Sequence, residues 1–206
     1  MMFFIYFIIL MVLWEIAVIF LYKKRQWLLY YLIAAFGLTF LIILVTQHIG
    51  FDTLLSEIEV GQTSTLLNWV NIDAYSQGVN LMIPTQEGWA VLICTLECSA
   101  LMELAVFFSL LLFYFKFSAA RKVLSIVIGL LVTYVANILR LFTISVVANR
   151  FGEDYVFMAH TVVGRLLFFG FVLVIYWFLV TRPTISYVGK SLIEDAIADQ
   201  EGGETG

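Results

Sequence analysis

Residues Trp89–Phe115 read WAVLICTLECSALMELAVFFSLLLFYF, and the placement of this run decides the architecture of the chain. Only Glu97 and Glu103 carry charge in it, and it exceeds the roughly 20 residues that a helix needs to cross about 30 Å of hydrocarbon. Read as a helix, it is the third of five such segments. The others are Met2–Tyr22, Trp27–Gln47, Val123–Ala148 and Tyr155–Val180. Composition agrees: 63% of residues are apolar and 13% charged, with mean hydropathy +1.01. Soluble domains average roughly 45–50% and about 25%. The predicted fold is all-α, a polytopic transmembrane helix bundle of about five spans.

Charge placement orients that bundle. No Lys or Arg occurs from Gln26 to Phe115, whereas Lys23-Lys24-Arg25, Lys116 with Arg121 and Lys122, and Arg182 with Lys190 form three basic places. Basic loops stay in the cytoplasm, so five spans put the N-terminus outside and the C-terminus inside. The acidic loop 49–88 is then external, with room for an extra re-entrant or interfacial helix anchored by Trp69. The first segment is expected to remain as a span rather than act as a cleavable leader, because its basic cluster follows the apolar run. Residues 1–190 are expected to form one bundle with its functional part at 89–180, and the acidic tail 191–206 is expected to be disordered. Contact with membrane lipid is implied, and none with nucleic acid.

A charge at bilayer depth costs at least about 2.5–3.5 kcal/mol, so such residues face the bundle interior and serve function. They are Glu15, Glu97, Glu103, Arg140, His160 and Arg165. Thr133, Asn137 and Arg140 share one face of the fourth span at i, i+4 and i+7. At 1.5 Å per residue, Cys98 and Arg140 each lie roughly 13 Å below the outer surface, His160 roughly 8 Å and Arg165 roughly 15 Å. Glu103, at roughly 20 Å, falls too deep for the same group. Three helices therefore bring a thiol, a guanidinium and an imidazole to one level.

Those residue types define a chemistry. A thiol becomes a nucleophile when a cation or an imidazole favours its ionised form. His160 suits proton transfer to a leaving amine, and Arg140 suits holding a thiolate or an oxyanion. Asn137 is placed to orient either group. Acyl transfer from a peptide carbonyl through a thioester follows. No cofactor is implied, since two Cys and a distant His fall short of a zinc site.

Blander readings stand beside this one. A membrane Cys is ordinarily a small inert hydrophobe, which is the role left to Cys94. Arg165 reads as a neutralising partner for Glu97 or Glu103. A small transporter or anionic-lipid-binding protein would use Arg140 and Arg165 without Cys98, and a structural subunit would use the charges to pair with a partner's helices.

The stretch Leu96-Glu97-Cys98-Ser99-Ala100 resembles the Glu-x-Cys-Ser-Gly-like motif of the exosortases and archaeosortases. Asn137-Ile138-Leu139-Arg140 resembles their Asn-x-x-Arg motif, and His160-Thr161-Val162-Val163-Gly164 their His-x-x-x-Gly motif. The three occur in order on consecutive segments. The resemblance covers Glu97–Phe169, and the short chain looks like the Gram-positive XrtG branch of that family. It implies a multi-pass cysteine peptidase or transpeptidase with Cys98 as nucleophile, Arg140 as electrostatic stabiliser and His160 as general base. Glu97, Ser99, Asn137, Gly164 and Arg165 would support them. The implied substrate is an exported protein ending in a short motif, a transmembrane helix and a basic tail. Ala100 departs from the pattern, because the family commonly has Gly there.

Overall fold

Two apolar helices open the chain, α1 (Met2–Lys23) and α2 (Trp27–His48). The computed structural model describes residues 2–86, 88–96, 98–114, 117–152 and 154–182. The pair meets through small residues. Trp14 of α1 lies across Gly37 of α2, where a Cβ would collide with the indole, and its Nε1 donates to Ile33 O at 3.0 Å. Close approach over small residues is what packs helices in lipid, where burial alone gives no drive.

The loop 49–88 is structured. The extra helix allowed there is α3 (Phe51–Trp69), 19 residues long. Its mean hydropathy is too low for a span, but one stripe is buried: Leu55, Ser56, Glu59, Val60, Thr63, Ser64 and Leu67. Three antiparallel strands follow in the order β1-β2-β3: β1 (Tyr75–Gln77), β2 (Asn80–Thr85) and β3 (Gly88–Ile93). Gly78, at φ +56°, opens the two-residue turn between β1 and β2, a conformation that glycine adopts without steric cost.

This sheet corrects the reading of Trp89–Phe115 as one continuous span. Its first part, through Ile93, is strand β3; residues 94–96 and 98–100 turn; only Leu101–Phe113 is helix, α4, of 13 residues. The apolar run merges two elements, because a short apolar strand and a buried helical segment look alike in sequence. Among the described residues, four helices are long and apolar enough to cross a membrane: α1, α2, α5 (Ala119–Phe151) and the stretch Tyr155–Tyr176 of a longer rod. The rod is built from α6 (Asp154–Met158), a π-helical turn at Ala159–Gly164, α7 (Arg165–Tyr176) and a second π-helical turn at Trp177–Thr181. The tail 191–206, expected to be disordered, lies outside the described residues.

One face of the sheet packs on α5. Leu81, Ile83, Leu92, Cys94 and Cys98 form a core with Val60 and Leu67 of α3, Leu141, Ile144 and Ala148 of α5, and Ala159. The opposite face carries Tyr75, Trp89, Val91 and Ile93, all exposed. The chain is thus an all-α polytopic bundle into which one small sheet is inserted.

Candidate active site

Cys98 does not lie within a helix, as the depth argument assumed. It sits in the turn between β3 and α4, three residues before the first residue of α4. Its N–H donates to Thr95 O at 2.8 Å, and Ser99 N–H to the same oxygen at 3.0 Å. Ser99 closes the turn further: its Oγ donates to Leu96 O at 3.3 Å and accepts from Leu101 N at 3.4 Å.

His160 is delivered from the other side by the π-helical turn. Its Nε2 stands 3.5 Å from Cys98 Sγ, with donor and acceptor set by the tautomer,. Isolated π turns within helices are frequent at functional sites, where they re-aim a side chain. Thr95 Oγ1 donates to the same sulfur at 3.9 Å. Gly164, one turn after His160, lets the rod approach α5: a Cβ there would lie 2.7 Å from Ile144 Cδ1.

The polar stripe of α5 faces inward, with Thr133, Asn137 and Arg140 all buried. Asn137 Nδ2 donates to Cys98 O at 3.0 Å and so grips the main chain of the turn. Arg140 is 3% exposed, with its guanidinium 5.5 Å over the Phe168 ring. Among the described residues it makes no hydrogen bond to the thiol; it acts on its surroundings through its field, which reaches Glu59 and Cys94. Arg165 is exposed, and among the described residues no ion pair joins it to Glu103. The neutralising role expected of it toward Glu103 is therefore not seen, and its other expected partner is Glu97. Glu97 lies outside the described residues, and Glu15 is exposed on α1.

Sequence reasoning missed Glu59. Assigned to an external acidic loop, it is fully buried on α3, and its Oε1 accepts from Ala100 N at 3.1 Å. Burial pushes its carboxyl up to about 7, against the pull of the Ala100 N–H, the Asn137 amide and the Arg140 charge. Glu59 and Asn137 therefore hold the turn that carries Cys98 from two different helices. The signal was present in the 3.6-residue spacing of Ser56, Glu59, Thr63 and Leu67, but the stripe is mostly polar and does not register as an apolar face. Ala100, where the family pattern has Gly, has φ −71° and ψ −4°, so no left-handed backbone requires glycine there.

Cys94 differs from Cys98 in kind. Both are free thiols, but burial pushes Cys94 up to about 12, which disfavours its thiolate. Cys98, 4% exposed, forms part of the wall of a cleft of about 400 Å³, together with His160, Thr95, Val156, Phe157 and Ala90–Ile93 of β3. That volume is within the range of small-ligand sites. A larger groove of about 630 Å³ between α2, α3, α4 and α5 has an almost wholly apolar lining and contains neither member of the pair.

A thiol and an imidazole in contact, held in a cleft of a multi-pass membrane bundle, define the class: a membrane protein with a part-buried cysteine–histidine pair. The transmembrane exosortase family model matches residues 1–178, and the chain belongs to that family. No curated protein and no solved structure matches it.

Proposed function

We propose that the chain is a cysteine peptidase or transpeptidase that cleaves the C-terminal sorting signal of exported proteins at the extracytoplasmic side of the plasma membrane. The observation that carries this reading is the 3.5 Å contact between Cys98 Sγ and His160 Nε2, inside a cleft large enough for a few residues of peptide.

His160 Nε2 takes the thiol proton, and the sulfur attacks the carbonyl carbon of the scissile peptide bond. The carbonyl electrons move to oxygen, and the oxyanion is stabilised by fixed positive charge, the role given to Arg140. The carbon–nitrogen bond then breaks and His160 returns the proton to the departing amine. The thioester on Cys98 passes its acyl group to water or to an acceptor amine, and the thiol is regenerated. Asn137 and Glu59 touch neither reacting atom; they position the turn. The substrate is an exported protein with a C-terminal motif, a single helix and a basic tail, recognised within the membrane.

The test compares Cys98→Ser and Cys94→Ser in cells. The Cys98 variant is expected to accumulate an unprocessed exported protein that retains its C-terminal helix and basic tail, while the Cys94 variant processes it. Normal processing by the Cys98 variant would sink the thiol mechanism. A transporter using Arg140 and Arg165 is not favoured, because one guanidinium is buried in the bundle and the other is exposed.

A further inference from the structure

The strand that leads to the nucleophile has an unpaired edge, and that edge lies along the cleft. In the β2–β3 ladder Pro84 stands opposite Trp89. Proline has no N–H to give, so this is a non-hydrogen-bonded pair, and pairs alternate along an antiparallel ladder. Gly88, Ala90 and Leu92 therefore turn their main-chain groups toward β2, and Trp89, Val91 and Ile93 turn theirs away. The bond from Cys94 N–H to Val79 O at 2.9 Å extends the same alternation. Ile93 O is taken by Thr95 N–H at 3.2 Å. Among the described residues, the outward N–H and C=O of Val91 have no partner.

Two further observations place those groups at the site. Four successive residues of β3, Ala90–Ile93, line the cleft that holds Cys98 and His160. Successive strand residues point to opposite faces, so a cleft touching both parities must run along the edge. The far edge of β3 is bonded to β2, which leaves the free one. Exposed edges are normally blunted by charge, proline or a bulge; Gly88–Ile93 contains no charged residue and no proline.

We infer that the edge of β3 is the substrate-binding element: the peptide is taken as an extended strand that pairs with the main chain around Val91 and lies across Cys98. This rests on the proposed peptidase reading and names the conformation in which substrate binds. Affinity comes from main-chain hydrogen bonds, and side chains facing Val156 and Phe157 set selectivity, as in other β-strand additions.

The test uses the full chain in detergent, with Cys94→Ser so that alkylation reports Cys98 alone. Two reagents are compared, acetyl-tetraalanine chloromethyl ketone and iodoacetamide, and the readout is the ratio of their rates. Val91→Pro removes one outward donor while sparing the ladder to β2, and it is expected to lower the ratio at least fivefold. N-methylating the tetrapeptide one residue at a time, against the chain with Val91 intact, is expected to slow alkylation at alternate residues only. The second arm decides the matter even if Val91→Pro does not fold. A smaller fall in the ratio in a folded Val91→Pro chain, or an N-methyl effect without alternation, would overturn strand addition and leave the thiol mechanism standing. Failure of Cys98 to react with either reagent would instead remove the peptidase reading, and strand addition with it.

Discussion

The helices α1 and α2 and the assembly of α3, the sheet, α5 and the rod solve different problems. The first pair buries little: Leu21 on α1, and Ala34, Ala35, Thr39 and Leu41 on α2. Most of its remaining surface faces outward and is apolar, as lipid requires. The second region buries Ser56, Glu59, Thr63, Ser64, Thr133, Asn137, Arg140 and Ser145. Buried polar groups cost stability unless they are bonded. Here two of the costly ones, Glu59 and Asn137, bond the turn that carries Cys98. Polarity in this bundle marks the region that fixes a geometry, and apolarity marks the region that only occupies the membrane.

The sharpest way to break that contrast is to remove an acceptor from the second region. Glu59→Leu leaves the buried Ala100 N–H without a partner, which costs about 1–3 kcal/mol. It also frees the turn, so Cys98 alkylation by iodoacetamide should change severalfold while Tm falls. An unchanged Tm and an unchanged alkylation rate would show that Glu59 does not hold the turn.

Much of this was legible in the sequence. The multi-pass helical class followed from apolar runs, and the three motifs led to Cys98, which contacts Asn137 and His160, and to Arg140, which is buried one turn along α5 from Asn137. The matched-depth argument reached that grouping through a wrong element, because Cys98 belongs to a turn and not to a third span. The apolar run from Trp89 hid the boundary at Cys94, since β3 and α4 are both built to be buried or to face lipid. Glu59 stayed hidden for the opposite reason: its helix hides a stripe of Ser, Thr and Glu that composition alone assigns to solvent. The π-helical turn at Ala159–Gly164 has no sequence signature beyond the His and Gly that it carries.

A gentler change separates the charge of Glu59 from its shape. Its carboxyl titrates at about 7 in the folded chain against an ordinary 4.5, so the folded state holds the proton more tightly than the unfolded one. The contribution to stability is therefore fully present below about pH 4.5, declines as pH rises toward 7, and is constant above. At about 1.4 kcal/mol per pH unit the loss is at most about 3.5 kcal/mol. Glu59→Gln can keep the acceptor for Ala100 N–H and loses the titration. Thermal melts from pH 4.5 to 8 should flatten in this variant, and a slope equal to that of the unaltered chain would assign the dependence to another group.

Packing between the rod and α5 gives a smaller effect with a built-in rescue. Gly164→Ala puts a methyl 2.7 Å from Ile144 Cδ1, and overpacking of this kind costs about 1–3 kcal/mol. Ile144→Val removes the atom it meets. The double variant should recover part of the lost Tm and of the Cys98 reactivity. Additive losses would mean that the close approach at Gly164 is not what seats His160.

The smallest effect is expected in the first region, and it bears on the contrast most directly. Glu15 is the one carboxylate in α1; it is exposed, and α1 packs mainly on α2. A charge facing lipid costs about 2.5–3.5 kcal/mol when it lies near mid-membrane, and nothing at the cysteine turn depends on it. Glu15→Leu should leave Cys98 alkylation within about twofold, with Tm unchanged or raised, since the substitution trades a charge for a side chain suited to lipid and to a helix. A tenfold fall in alkylation would mean that α1 is coupled to the turn through α2 and α4, which do pack together. The division between a membrane-filling pair and a geometry-fixing assembly would then have to move to include all of the helices.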